Sequence, residues 1–174
     1  LCGPARRRPP ILSAVELIMG LVWHILQGAG TLAENVGVLT RKKISDGALS
    51  QRRTALPWQI FETILEEALR PKAKLPEHPE AFYRGLRLCG TDGSRFSVAN
   101  TPQIKQTMTK AVSRRTKAAF AQIGVVTLVE LGLHNPIGAA IGPAGESEMA
   151  LARRLIDQLP ERSLWIRDRY YGVP

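Results

Sequence analysis

Apolar positions in the first part of the chain recur at helical spacing, and glycine and proline interrupt them. Ser13 with Glu16, and Thr31 with Glu34, have the spacing of a capping box, in which each side chain bonds the other residue's backbone N–H. These pairs predict a helix that ends near Leu26, before two glycines, and a short second helix after it.

Two more helices are predicted before residue 70. Ser45 can cap a short helix that carries Gln51, Arg52 and Arg53. From residue 58 to 69 the apolar side chains recur every three or four positions, with glutamates on the other side. This spacing predicts an amphipathic helix.

A segment rich in proline follows these helices. Residues 71–79 hold three prolines, each of which lacks an N–H donor and restricts the residue before it. We interpret the segment as a linker, and predict a helical domain with its linker over residues 1–79 and a second domain over residues 80–174.

The pattern changes to short strand-like runs after the linker. Strands are predicted at residues 86–91, 95–98, 123–131, 137–141 and 164–166, and one helix at residues 146–159. The predicted class is therefore α+β, with three antiparallel strands, a helix and a final strand making a mixed sheet in the second domain.

The charge adds a prediction about partners. The chain of 174 residues has a net charge of +9, and the excess lies in residues 1–57 (8 basic, 3 acidic) and 86–121 (7 basic, 1 acidic). Such basic segments are typical of proteins that bind nucleic acids. An exposed basic face or loop that only keeps the chain in solution is the alternative. The candidate DNA-contacting residues are Arg41, Lys42, Lys43, Gln51, Arg52, Arg53, Lys110, Arg114, Arg115 and Lys117.

Membrane and disulfide chemistry are not indicated. No stretch of about 18 apolar residues is present. Cys2 and Cys89 have neither a partner cluster nor metal-ligand spacing. We expect a bacterial cytoplasmic protein without a membrane segment.

Two aspartates are the candidate chemical groups. Asp92 follows an apolar strand, with Gly93 expected to let the chain turn beside it, and Asp168 follows the last strand. If those strands are neighbours, the two carboxylates converge at one edge of the sheet, where they suit Mg²⁺ or Mn²⁺. The alternatives are an ordinary Asp-Gly turn and, between Arg167 and Arg169, an ion-paired surface aspartate.

Five segments taken together resemble the insertion-sequence-four family of transposases, and their order and spacing agree with that family. They are residues 83–94 (YRGLRLCGTDGS), 99–102 (ANTP), 126–134 (VTLVELGLH), 146–148 (ESE) and 164–171 (LWIRDRYY). A further segment, residues 44–53 (ISDGALSQRR), is similar but less specific.

The resemblance implies roles for the two aspartates. In that family they are the first and second carboxylates of an aspartate-aspartate-glutamate site in a ribonuclease H-like core, which maps onto Asp92 and Asp168. The third carboxylate lies far downstream in the family, whereas this chain ends at Pro174. We therefore expect an amino-terminal fragment with an incomplete ribonuclease H-like sheet that is inactive alone. We expect Glu130 to be a strand residue and Glu148 a residue of a helix's first turn, neither replacing the third carboxylate.

The resulting functional prediction is a DNA transposase of a bacterial insertion sequence. It implies double-stranded DNA partners (transposon ends and target), Mg²⁺ or Mn²⁺ at the two aspartates, recognition of DNA by the helical domain, and a dimer in the DNA complex. The rival predictions are a non-catalytic DNA-binding protein or decayed transposase remnant, and a basic RNA-associated protein. Binding that ignores metal ions would favour the first rival, and binding that ignores duplex structure the second.

Overall fold

The computed structural model describes residues 11–99, 101–107 and 119–169. It has the predicted α+β class, with helices followed by a largely antiparallel sheet. The chain divides into two compact units, residues 1–62 and 63–174.

The first unit contains three short helices: α1 (Ala14–Gln27), α2 (Leu32–Thr40) and α3 (Asp46–Thr54). Both predicted capping boxes are present, and Ser45 caps α3 by accepting from the Ala48 N–H. The amphipathic helix α4 (Gln59–Ala68) follows and crosses the division between the units. Among the described residues no single helix is long and apolar enough to cross a membrane; α1 and α2 pass that test only as a pair, bent by 117°.

The core of the first unit joins its three helices. Leu12, Leu17, Val36 and Leu49 are fully buried or nearly so. Gly20 of α1 faces Val36 of α2, and a side chain there would overlap the valine, so the glycine permits the close helix contact.

The second unit is built on one five-stranded sheet. Its strands are β1 (Phe82–Tyr83), β2 (Leu86–Ser97), β3 (Gln122–Glu130), β4 (Asn135–Pro143) and β5 (Ser163–Arg167), and its helices are α5 (Pro102–Thr107) and α6 (Glu148–Arg153). β1 to β4 form an antiparallel series, while β5 pairs in parallel with β2.

Two predicted element boundaries were wrong. The strands expected at residues 86–91 and 95–98 form the continuous strand β2, because β3 pairs with it from Cys89 to Ser97, and no turn occurs at Gly93. The helix expected at residues 146–159 is shorter. Ser147 caps it, and a turn follows α6 before a single 3-10 turn at Ile156–Gln158, which tightens the chain ahead of Pro160.

α6 covers one face of the sheet. Leu151, Ala152 and Leu155 are buried against Cys89 of β2, Leu128 of β3 and other residues of the same cluster. Because side chains alternate along a strand, the neighbours of these strand residues point to the second face. That second face carries Phe96, Ile141 and Ile166, each about half exposed.

The proline-rich segment lies on the sheet rather than apart from it. The buried Glu130 carboxylate accepts the backbone N–H groups of Lys72 (2.8 Å) and Ala73 (3.1 Å), and it pairs with Arg87. Asn135 donates to the same carboxylate at 2.8 Å. The domain boundary between residues 79 and 80 stays a prediction, since the two compact units divide earlier, after Glu62.

Candidate functional site

Asp92, within β2, and Asp168, the residue after β5, lie at corresponding positions beside the paired part of these two strands. Parallel pairing of β2 with β5 places Thr91 opposite Arg167, and each aspartate is the next residue along. Gly90 and Ile166 are also register partners, so Asp92 and Asp168, two residues further on, project toward the same second face of the sheet. The structure therefore brings together the two residues that the sequence singled out.

The two aspartates share one open hollow. Its volume is about 420 Å³, and Val129, Leu131 and Ile166 supply its apolar floor. Both side chains are exposed, and the Asp92 carboxylate accepts the Gly93 N–H at 2.9 Å. Two solvent-accessible carboxylates in one hollow are hard oxygen donors of the kind that Mg²⁺ and Mn²⁺ prefer, so these residues fit part of a metal site.

A hydrogen bond on the opposite face fixes the two strands just before the aspartates. The indole N–H of Trp165 donates to the Thr91 hydroxyl, and Trp165 packs against the core under α6. The Arg167 guanidinium lies over the Trp165 ring, 4.1 Å from its centroid. β2 and β5 are thus joined by side chains as well as by backbone at the point where the aspartates follow.

Other carboxylates lie away from this hollow. Glu148 lies against Gly93, so closely that a side chain at position 93 would overlap it. Positions 93 and 92 face opposite sides of the sheet, so Glu148 lies on the side covered by α6, away from Asp92. Glu146 pairs with Arg154 at 2.8 Å. Within the described ranges no group of three or more His, Cys, Asp or Glu side chains could hold a metal ion.

The basic turn between α2 and α3 lines a separate groove. Arg41, Lys42 and Lys43 border an open depression of about 780 Å³ together with apolar residues of α2. Lys42 also pairs with Glu16 at 2.5 Å, and this contact and the Ser13 N–H lower the pKa of Glu16 to about 2. Two of the three turn cations, Arg41 and Lys43, are therefore the more exposed ones.

The candidate residues on α3 are not part of that groove. Gln51 and Arg52 line a smaller depression with Ala14 and Leu17 of α1, while Arg53 is exposed. The remaining candidates, Lys110, Arg114, Arg115 and Lys117, lie outside the described residues.

Sequence reasoning missed the network around Trp165. A tryptophan in a strand predicts a core anchor, and its partner Thr91 comes from a strand 74 positions away. The alternating pattern of β2 and β5 would have placed both on one face, but only if the register between the strands had been known.

Two curated proteins are similar to this chain. The first is the transposase InsG for insertion sequence element IS4 of Escherichia coli (strain K12), 23% identical over 172 residues, which are 97% of this chain and 38% of InsG. The second is InsZ of the same strain, whose name assigns it provisionally as a transposase; it is 27% identical over 90 residues, 51% of this chain and 30% of InsZ.

The comparisons confirm the resemblance to insertion-sequence-four transposases that the motifs indicated. The chain spans well under half the length of either relative. No protein-family model matches the chain, and no solved structure does.

Proposed function

We propose that this chain is part of an insertion-sequence transposase that cuts DNA at transposon ends and joins the freed strand to target DNA, with Asp92 and Asp168 as its first two catalytic carboxylates. The observation that carries the proposal is the register of β2 and β5, which sets the two aspartates side by side in one hollow. The similarity to InsG over nearly the whole chain supports it.

Asp92 and Asp168 would hold Mg²⁺ or Mn²⁺. Bound there, divalent ions would activate the attacking oxygen and stabilise the leaving oxygen of a phosphodiester. In cleavage, water adds to the phosphorus and the bond to the 3′ oxygen breaks, leaving a 3′ hydroxyl and a 5′ phosphate. In strand transfer, that hydroxyl loses its proton, bonds to a target phosphorus and displaces a 3′ oxygen of the target.

The chain's own residues would position the metal and the DNA. The Thr91 and Trp165 contact holds β5 beside β2, so that the two carboxylates stay within reach of one another. In this proposal the arrangement is part of a ribonuclease H-like core.

The helical unit would bind the DNA. α2, the basic turn and α3 would act as a helix-turn-helix-like unit, in which Gln51, Arg52 and Arg53 would contact base edges or phosphates in the major groove. Arg41, Lys42 and Lys43 bind phosphates, as do Lys110, Arg114, Arg115 and Lys117. Two copies act together on two transposon ends in the bacterial cytoplasm.

The test is duplex DNA binding with and without Mn²⁺, measured by fluorescence anisotropy. We expect Mn²⁺ to strengthen binding by the unaltered chain, because ions held at the hollow also bind phosphate oxygens. Replacing Asp92 and Asp168 with asparagine should remove this gain, while Asp157→Asn, an exposed aspartate beyond α6, should keep it.

Binding that is equally tight with and without Mn²⁺ would contradict the catalytic proposal. It would favour the rival prediction of a non-catalytic DNA-binding protein or transposase remnant. Equal affinity for duplex DNA and single-stranded RNA would contradict DNA as the substrate.

A further inference from the structure

α1 is apolar on two opposite faces, and within the part of the chain that the structure describes only one of them is buried. Leu17 and Gly20 pack inside the first unit. On the other side of the helix, five large apolar side chains are 52–77% exposed: Val15, Met19, Val22, Ile25 and Leu26. Ile18 lies among them and is half buried. A surface helix of a globular protein ordinarily has one apolar stripe, so the second stripe requires an explanation.

The spacing of the second stripe is that of a helix that pairs with another helix. Val15, Ile18, Val22 and Ile25 follow intervals of three, four and three, the a and d positions of a heptad repeat, and Met19 and Leu26 flank them at e. Together they occupy an arc of roughly 120° around the helix. Gln27 lies at an f position, on the far side of the helix from such a seam.

Charge points to a second copy as the partner. The chain has a net charge of +9, so two copies repel one another over most approaches. Residues 17–33 contain no Asp, Glu, Lys or Arg, and the exposed stripe lies within or beside this run. Two copies of the stripe can therefore meet without opposing like charges, and both supply the same heptad pattern.

The size of the stripe sets the strength of the pairing. A helix of 14 residues is about 21 Å long, which gives two heptads. A stable interface buries about 800 Å² on each partner, more than one short helix offers. Pairing through α1 should therefore be weak in free solution and strengthened when two copies bind DNA together.

We propose that the stripe of Val15, Ile18, Met19, Val22, Ile25 and Leu26 on α1 is the surface through which two copies of this chain associate. The inference rests on the proposed function only in that two copies are proposed to act together. Its test contains neither DNA nor metal ions, so its failure and that of the transposase proposal are distinguishable.

The first experiment is sedimentation velocity of the chain over a range of concentrations. We expect reversible dimerisation that Val22→Glu weakens by at least about tenfold, because the variant buries an unpaired charge at the seam. Gln27→Glu adds the same charge at the f position of the same helix and should leave dimerisation unchanged. A chain that is monomeric throughout, or a dimer that both variants leave intact, would overturn the proposal.

A second experiment tests the same surface without a charged variant, in case Val22→Glu prevents folding. With Cys2→Ser in the background and Cys89 buried, Val22→Cys introduces one accessible thiol near the middle of α1, where two copies meet in either helix orientation. We expect rapid oxidation to a disulfide-linked dimer, and none for Gln27→Cys. Equal cross-linking of both would contradict the seam. So would binding of the monomeric chain to phosphatidylcholine and phosphatidylglycerol vesicles, which would assign the stripe to a lipid surface.

Discussion

Glu130 is a carboxylate without solvent access, and its hydrogen bonds hold the proline-rich segment on the sheet. Burial alone would raise its pKa, but the N–H groups of Lys72 and Ala73, the Asn135 amide and the Arg87 guanidinium outweigh that effect and lower it. The side chain is therefore charged at neutral pH, and its partners depend on that charge.

Glu130→Gln removes the charge and leaves Arg87 without its ion-pair partner inside the unit. We expect the free energy of unfolding of the second unit to fall by about 3 kcal/mol, the usual cost of breaking a buried ion pair by removing one partner. Urea unfolding followed by tryptophan fluorescence measures it. The exposed Glu161→Gln should change it by less than about 0.5 kcal/mol, and an equal effect of both variants would contradict the role of Glu130.

Glu16 makes the first unit sensitive to acid. The hydrogen bond from Lys42, and next the Ser13 N–H, lower its pKa from 4.5 to about 2. A carboxylate whose pKa is lowered by folding stabilises the fold above its unfolded pKa and loses that contribution as the pH falls through its folded pKa. Helix content measured by circular dichroism should therefore melt at progressively lower temperature between pH 4.5 and pH 2.

The matched variant is Glu16→Gln, which cannot titrate. We expect it to lower the melting temperature near neutral pH and to make the fall between pH 4.5 and pH 2 shallower. Glu34, whose pKa is also lowered, by the Thr31 N–H and hydroxyl, supplies part of the remaining fall. An unchanged pH profile in the variant would contradict the contribution of Glu16.

At the scale of single elements, the contact of Trp165 with Thr91 joins β5 to β2 beside the aspartates. Trp165→Phe removes the indole donor and keeps a smaller aromatic ring packed against the core. We expect a loss of about 1 kcal/mol in stability and, separately, weaker Mn²⁺ binding at the hollow, since β2 and β5 lose a side-chain hydrogen bond next to Asp92.

The control for Trp165→Phe is Phe82→Leu. This second variant perturbs the short strand β1 of the same sheet. A fold defect alone would reduce stability in both and leave the Mn²⁺ affinity of the folded protein unchanged in both. Weaker Mn²⁺ binding in the first variant only is the result that a positioning role requires.

The helices could be predicted from sequence more closely than the sheet. Capping boxes at Ser13 and Thr31 are local signals, and the structure confirmed both helix starts. Asp92 and Gly93 predict a turn locally, yet β3 pairs with β2 from Cys89 to Ser97 and keeps both residues in the strand. Whether such residues form a turn or a strand depends on pairing with a strand that is distant in the chain, and local sequence patterns do not show that pairing.

The candidate site shows the same division. Asp92 and Asp168 were identified from residue types and family resemblance, and the idea that their strands are neighbours was conditional. The parallel register of β2 and β5 supplies what the sequence lacked. Trp165, Thr91 and Glu130 were not assigned these contacts, because each acts through a partner more than 50 positions away.

At the scale of the whole molecule, the charge of +9 should dominate DNA binding. We expect the affinity for duplex DNA to fall steeply with salt, and Lys43→Ala to reduce the slope of log affinity against log salt by about 1, as loss of one phosphate contact does. Lys74→Ala is the control, since Lys74 pairs with Glu77 outside the groove. Equal slopes for the unaltered chain and both variants would contradict a phosphate contact at Lys43.

Mn²⁺ titration of the ¹⁵N-labelled chain tests directly whether Asp92 and Asp168 form one metal-binding site. Bound Mn²⁺ broadens the amide signals of nearby residues. We expect selective broadening at residues 90–93 and 166–168 that is lost in Asp92→Asn and in Asp168→Asn and retained in Asp157→Asn. Broadening that is spread over acidic surface residues, or that survives in either of the first two variants, would contradict the claim.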